Sequence, residues 1–198
     1  MVGLILSFYI TLSEADRYAN PVKNVPSPLV QVVNRGEDRI TLKNGYSQIG
    51  NLQGIIPDSW MRETPSSSMR LAQFNFSDEY GRCELVVFTG IGGSVDTNLD
   101  RWLGQFRGPD NESVADHATI SHEHSGDLEI NFVYVEGTYL QSGMGMGGPT
   151  FEKPNYGLMA AILTVVDGPY YFKCTGPKKT LDNYLNSFET FIRSLESL

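Results

Sequence analysis

The longest run of patterned hydrophobic and polar positions covers residues 156–195. The segment YGLMAAILTVV is continuously apolar, Asp-Gly-Pro at 167–169 is a turn signal, and YYFKC alternates large residues, so a β-hairpin is predicted. Thr180 takes the predicted N-cap position of a following helix. Its apolar residues recur at helical spacing: Leu181, Tyr184, Leu185, Phe188, Phe191, Ile192 and Leu195. Because neither element can bury its apolar face alone, we expect the helix to pack on the hairpin.

Shorter patterns upstream predict more strands and a second helix. MRLAQFNF alternates, with Met69, Leu71, Gln73 and Asn75 on one face and Arg70, Ala72, Phe74 and Phe76 on the other. Together with CELVVFTG after the turn SDEYG, it predicts an antiparallel hairpin. After GIGGS a helix is predicted, with one apolar stripe made by Val95, Leu99, Trp102, Leu103 and Phe106. LQGIIP, residues 118–124 and EINFVYVEGTYL are also expected to be strands, with loops elsewhere in 107–127 and at 143–149.

These elements predict an α+β fold, a mostly antiparallel sheet flanked by helices, because strands outnumber helices and short turns join neighbours. The expected organisation is a signal or anchor segment at 1–15, a linker with a small hairpin at 16–50, and the α+β domain at 51–198. The linker assignment follows from Pro21, Pro26 and Pro28, and Asn44-Gly45 adds a turn signal.

Residues 2–12, VGLILSFYITL, form an apolar run that is too short for an ordinary membrane span but suits a signal-peptide core. No lysine or arginine precedes it, so a buried N-terminal strand is the alternative. We expect export to a periplasmic or secreted location, with a cytoplasmic location as the alternative. Membrane contact is expected only through this segment, if it is not cleaved.

Charge narrows the choice of partners. The chain has 198 residues and a formal net charge of -8, so phosphate backbones and anionic membrane surfaces repel it. We therefore expect no nucleic-acid partner, and instead another extracytoplasmic protein or a small ligand.

The two cysteines, Cys83 and Cys174, are too few for a disulfide scaffold. Cys174 shares a predicted strand face with Tyr170 and Phe172, which favours a small core residue. A Cys83–Cys174 disulfide, in an oxidising compartment, and a catalytic thiol are the alternatives.

A ligand site is predicted around the glycine-rich segment GIGGS, which lies between the predicted strand CELVVFTG and the helix that follows. Backbone amides of Gly92, Gly93 and Ser94 could hold an anion at the helix N-terminus. The spacing fits neither the dinucleotide fingerprint nor the P-loop, so a crossover with Ser94 or Asp96 as N-cap is the alternative.

Three cations are candidates for the same anionic ligand. They are Arg70, Arg101 and Lys173. Ordinary surface charges on strands and a helix would explain them equally well.

A copper site is a second functional hypothesis. His122 and His124 would share one face of a strand, and Met144 and Met146 alternate in the following glycine-rich loop. Imidazole and thioether ligands together suit copper. The alternative is surface histidines and a loop that packs its methionines.

A hydrolase of unrecognised type is the third hypothesis. Ser66, Ser67 and Ser68 precede a strand, but no G-x-S-x-G elbow accompanies them, and turn chemistry explains them better. We expect no cofactor, and a non-enzymatic role more than an enzymatic one.

Several segments in this order resemble a group of uncharacterised bacterial exported proteins: IPDSW, ETPSSSMRLAQFNF, ELVVFTGIGGSVDTNLDRWLGQF, VEGTY and GPYYFKCTGPKKTLDNYLNSFETFIRSL. More distantly, the P-x-x-W opening, the central hairpin and the final aromatic strand with its helix resemble the PsbP-like fold. The resemblance implies an antiparallel sheet with helices on both sides, and export. We therefore expect an extracytoplasmic domain with a protein-binding, ligand-binding or accessory role.

Overall fold

The computed structural model describes residues 42–143 and 149–198, and these residues form an α+β fold in which antiparallel strands dominate. The two helices are α1 (Val95–Leu103) and α2 (Lys178–Arg193). The strands in chain order are β1 (Ser47–Ile49), β2 (Leu52–Gly54), β3 (Met61–Glu63), β4 (Ala72–Asp78), β5 (Gly81–Thr89), β6 (Phe106–Arg107), β7 (Thr119–Ser125), β8 (Leu128–Ser142), β9 (Thr150–Val165), β10 (Gly168–Pro177) and β11 (Glu196–Ser197).

The main sheet has eight strands in the order β3-β4-β5-β10-β9-β8-β6, and β7 also pairs with β8. All of its pairings are antiparallel. The predicted hairpins β4–β5 and β9–β10 are both present. A smaller sheet of three strands has the order β1-β2-β11. The fold class expected from the hydrophobic pattern is confirmed.

The larger core lies on the side of the sheet that α2 covers. Alternate residues of the central strands point there, and Leu181, Phe188, Phe191 and Ile192 of α2 pack against them. Trp60, which precedes β3, stacks on Phe76 with ring centroids 5.0 Å apart. Trp60 therefore fills the end of this core.

The smaller core lies on the opposite side, beneath α1. Trp102 and Leu103 of the helix pack there with Phe106 and with apolar residues of β8, β9 and β10. Phe106 was predicted as part of the α1 stripe, but the helix ends at Leu103 and Phe106 lies in β6. The amide of Gly104 closes the helix by donating to Asp100 O, which turns the chain before Phe106.

The C-terminal helix begins earlier than predicted. Thr180 is not its N-cap: α2 starts at Lys178, directly after Pro177, whose φ of -55° suits entry into a helix. Thr180 is fully buried, and its hydroxyl donates to Asp78 Oδ1 at 2.7 Å. The hydroxyl thus ties the helix to the end of β4 instead of capping the helix.

The start of β4 also differs from the prediction. The strand begins at Ala72, because residues 66–70 form a turn in which the amide of Met69 donates to Ser67 Oγ and that of Arg70 to Ser67 O. Arg70 therefore lies outside the alternating pattern, and its guanidinium reaches Gln73 and Glu84, not the face of Phe74.

Two expectations concern the N-terminal part of the chain. The signal or anchor segment at 1–15 lies outside the described residues, of which Leu42 is the first. The small hairpin predicted within the linker, from PLVQVV and RITL at 28–42, lies outside them except for Leu42. Residues 47–49, inside the predicted linker, form β1 of the small sheet, and the predicted turn contains Gly45 with a φ of +81°. Within the described residues, neither helix combines the length and apolar character needed to cross a bilayer.

Candidate functional site

Polar side chains collect on the α1 side of the sheet, where β3, β4, β5 and β10 run together. Strand alternation sends the apolar residues of β4 and β5 toward α2 and leaves the other positions for this side. In one row across the strands, Gln73 lies opposite Val86, which lies opposite Lys173. We call this group the polar floor, and it consists of Glu63, Gln73, Asn75, Glu84, Lys173 and Thr175.

Gln73 is the hub of the polar floor. Its Oε1 accepts from Arg70 Nη1 at 2.8 Å and from the amide of Ser66 at 3.0 Å. Its Nε2 donates to Glu63 Oε2 and to Glu84 Oε1, both at 3.1 Å. Because all these bonds are made, burying Gln73 to 6% exposure carries little desolvation cost.

Lys173 lies at the edge of the polar floor, against α1. Its Nζ donates to Gln105 Oε1 and lies 5.6 Å from the centroid of the Trp102 ring. Burial, followed by the charges of Arg101 and Arg70, lowers the pKa of Lys173 to about 8, against the opposing charge of Glu84. The amine thus lies in an environment that disfavours its charged form.

Arg101 connects this region to the glycine-rich segment. Its guanidinium donates to Asn98 Oδ1 at 2.6 Å, and the buried Asn98 donates in turn to Gly92 O at 3.2 Å and Ser94 O at 2.9 Å. Ser94 is the N-cap of α1, since its Oγ accepts from the amide of Thr97 at 3.1 Å. The capping interpretation of Ser94 is therefore confirmed.

An open cavity of about 330 Å³ lies beside this segment. Gly92, Arg101 and Trp102 line it from one side, and Ser68 and Met69 from another. Of the three predicted cations only Arg101 lines the cavity, but Arg70 follows the lining residue Met69 in the chain, and Lys173 Nζ lies over the ring of Trp102, which also lines it.

The structure brings together much of the predicted ligand-binding set. Arg70 and Arg101 lie close enough to Lys173 for their charges to lower its pKa. Gly92 shares the cavity with Arg101, whereas Gly93 and Ser94 are exposed and belong to the cap of α1.

The local charge around these groups is positive. Of the carboxylates nearby, Glu84 pairs with Arg70 at 3.1 Å, and Glu63 pairs with Arg82 at 2.7 Å. Among the described residues neither Arg101 nor Lys173 makes an ion pair. In a chain of net charge -8, two cations that form no ion pair with a described carboxylate thus lie near Trp102: Arg101, its neighbour in the chain, and Lys173, whose Nζ lies over its ring.

Sequence reasoning missed several members of this region. Gln73 and Glu84 could have been found, because each places a polar group in a strand whose other residues are mostly apolar. Gln105 and Tyr139 could not be found from the sequence. Gln105 is placed near Lys173 by the position where α1 ends, and Tyr139 is placed by the length of β8. Burial raises the pKa of Tyr139, and Glu84 raises it as well, while Arg70 opposes them.

The predicted copper ligands are only partly described. His122 and His124 lie exposed on β7, opposite Asn131 and Glu129, and His122 Nδ1 is hydrogen-bonded to Asn131 Oδ1. Met144 and Met146 lie outside the described residues, so whether the two segments meet stays a prediction. Within the described residues no group of three or more His, Cys, Asp or Glu side chains is placed to hold a metal ion.

Both cysteines are buried free thiols on adjacent strands. Burial raises the pKa of the Cys174 thiol, and a hydrogen bond with Cys83 adds to this. A raised pKa disfavours the nucleophilic thiolate, so the core interpretation of Cys174 is confirmed.

Comparison with known proteins gives little further guidance. No protein-family model matches the chain, and no curated protein matches it. Among solved structures, a protein of Bacteroides thetaiotaomicron VPI-5482, known from a crystal structure at 1.50 Å resolution, matches with 14% sequence identity and a TM-score of 0.41. The match covers 77% of this chain and 47% of that protein, so the chain spans less than half of its length.

Proposed function

We propose that this protein is a non-enzymatic binding domain that holds a small anionic ligand on the α1 side of its sheet. The observation that carries the proposal is the placement of three cations around one region: Arg101 lines the cavity beside Trp102, Lys173 Nζ lies over the Trp102 ring, and Arg70 bonds to Gln73 of the polar floor. Guanidinium and ammonium groups donate charge-assisted hydrogen bonds to phosphate and carboxylate oxygens.

The environment of these cations strengthens the attraction. Arg70 keeps 24% of its side-chain surface exposed, and Lys173 is also only partly exposed, so solvent screens these two charges less than it screens the exposed Arg101. An incoming anion would find in Arg101 and Lys173 two cations that make no ion pair with a described carboxylate.

The size of the cavity limits the ligand. At about 330 Å³, it lies near the lower end of the range of ligand pockets, roughly 300–1,000 Å³. A single phosphorylated or dicarboxylic small molecule fits this volume. The open face of the cavity leaves room for exchange with solvent.

The proposal also includes an extracytoplasmic location and an accessory role. The apolar run at 2–12 supports export. The resemblance of the motifs to exported bacterial proteins, and more distantly to the PsbP-like fold, supports export and an accessory role. The net charge of -8 supports a partner other than nucleic acid.

Calorimetric titration with inorganic phosphate and with succinate tests the proposed binding. We expect Arg101→Gln to weaken the binding of at least one of them by about tenfold, since a charge-assisted hydrogen bond contributes roughly 1.5–3 kcal/mol. The matched control is Arg62→Gln, an exposed arginine over the Phe74 ring on the opposite side of the sheet. Identical binding by the parent protein and Arg101→Gln contradicts the proposal.

A further inference from the structure

We propose that Lys173 is a covalent attachment site, whose amine forms an imine with a small aldehyde or ketone that carries a phosphate or carboxylate group. The inference rests on the proposed function, because Arg70 and Arg101 hold the anionic group while the carbonyl carbon meets the amine.

The placement of the amine is the first support. Lys173 projects from β10, a central strand, so its backbone is fixed by pairing with both β5 and β9. The amine is held by a neutral acceptor, Gln105 Oε1, and by the face of the Trp102 ring. A neutral acceptor holds a neutral amine as well as an ammonium, so the bond survives loss of the proton.

The charges around the amine are the second support. Arg101 on α1 and Arg70 before β4 both disfavour a positive charge on Lys173, whereas Glu84 on β5 is the opposing carboxylate. With burial as the largest cause, the pKa of Lys173 falls to about 8. Near neutral pH such an amine has on the order of a hundredfold more of the nucleophilic free base than a solvated lysine.

The reaction is a condensation without change of oxidation state. The amine nitrogen attacks the carbonyl carbon and forms a C–N bond, and the carbonyl oxygen becomes a hydroxyl. This oxygen then leaves as water with the two amine hydrogens, and a C=N double bond remains. The attached ligand keeps its anionic group, and the two guanidiniums remain charged to hold it.

Other lysines of the described chain lack this combination. Lys178 is paired with Glu136 at 3.0 Å and Asp182 at 2.7 Å, so two carboxylates occupy its amine. Lys179 is exposed, although its amine lies 4.7 Å from the centroid of the Tyr80 ring. Lys179 is thus a matched control: an amine over an aromatic ring, outside the polar floor.

The test is labelling with pyridoxal 5′-phosphate, an anionic aldehyde, followed by borohydride reduction and peptide mass mapping. We expect limited labelling near neutral pH to modify Lys173 about tenfold more than any other lysine. Lys173→Arg should remove this adduct, and Lys179→Met should leave it unchanged. Labelling spread evenly over many lysines overturns the proposal.

Two further measurements separate this inference from the proposed function. Lys173→Arg keeps the positive charge, so we expect this variant to retain phosphate binding. If it does, and the parent protein forms no preferred adduct at Lys173, the covalent site is contradicted and the anion site stands. If pyridoxal, which lacks the phosphate, labels Lys173 as well as its phosphate ester does, the amine is reactive but the anion site fails. Loss of adduct in Arg101→Gln, with folding intact by circular dichroism, supports both.

Discussion

The two sides of the main sheet are built from the same strands but have opposite characters. On the α2 side, alternate residues of β4, β5 and β10 are aromatic or aliphatic, and a helix of 16 residues covers them together with the small sheet. On the α1 side, a helix of 9 residues packs on β8, β9 and β10, and the neighbouring strands carry amides and charges.

This difference separates the side of the sheet that stabilises the fold from the side where we propose that a ligand binds. A long amphipathic helix buries enough apolar surface to stabilise the fold, so the α2 side needs no polar groups. The shorter α1 leaves a polar floor whose hydrogen bonds are satisfied internally through Gln73. That floor, with Arg70 and Arg101 beside it, is where we propose that a ligand binds at least cost to the core.

The largest expected effect is on the α2 side. Phe188 is fully buried and packs edge-on against Phe132, so Phe188→Ala should lower the free energy of unfolding by about 3–5 kcal/mol. Leu99→Ala on α1, where the side chain is only half-buried, should cost about 1 kcal/mol. Urea denaturation measures both. Equal losses would mean that the two sides contribute alike and would remove the contrast.

A second test concerns the close contact of β5 and β10 on the α2 side. A Cβ on Gly176 would lie 2.2 Å from Cys83 Sγ and 2.9 Å from Cys83 Cα, a backbone atom that cannot rotate away. We therefore expect Gly176→Ala to cost about 2–3 kcal/mol through overpacking. Gly92→Ala on the α1 side has open space around the new methyl and should leave the unfolding midpoint nearly unchanged. A tolerated Gly176→Ala would show that the strands can separate.

The sheet and both helices could be predicted because their signals are local. The apolar run at 156–166 and the stripe through Phe188 and Ile192 each follow the period of one element. The errors occurred where a side chain found a distant partner: Thr180 bonds to Asp78 instead of capping α2, and Phe106 joins the smaller core from β6. Sequence spacing carries no information about partners so far apart in the chain.

The candidate site was predictable in its cations but not in its geometry. Arg70, Arg101 and Lys173 were chosen by charge, yet their meeting depends on the turn at 66–70 and on the register of β5 with β10. The role of Gln73 follows only from the register of β4 with β3 and with β5, because its four partners come from three separate parts of the chain.

A third test concerns a substitution that should raise the free energy of unfolding, whereas the first two should lower it. Lys173 has a lowered pKa because burial and two neighbouring cations oppose its charge, so the charged lysine weakens the fold. Lys173→Met keeps the aliphatic stem and removes the charge, and we expect it to raise the free energy of unfolding by about 1–3 kcal/mol near neutral pH. The control Lys179→Met, at an exposed position, should change it by less than about 0.5 kcal/mol. Destabilisation by Lys173→Met would contradict the charge argument.

The same substitution predicts a pH dependence with a definite sign. The unfolded chain binds a proton at Lys173 up to a pKa of 10.5, and the folded protein only up to about 8. Between these values the unfolded state binds more protons, so the free energy of unfolding rises with pH through this group. We expect the advantage of Lys173→Met to shrink as pH rises from about 8 to 10.5. An advantage constant with pH would assign it to packing.

The smallest expected effect lies at the outer edge strand, three strands from Lys173. His122 and His124 share one face of β7 and are exposed, so together they offer two imidazole ligands, one of which is hydrogen-bonded to Asn131. With these two ligands alone, the protein should compete only weakly for Cu(I) against a chromogenic chelator, and the double variant His122→Ala, His124→Ala should compete equally weakly.

The affinity should also fall as pH drops through about 6.5, since protonated imidazole does not bind metal. Tight Cu(I) binding that the double variant loses would instead show that the loop of Met144 and Met146 reaches this strand, and it would move the proposed function from the polar floor to the edge of the sheet.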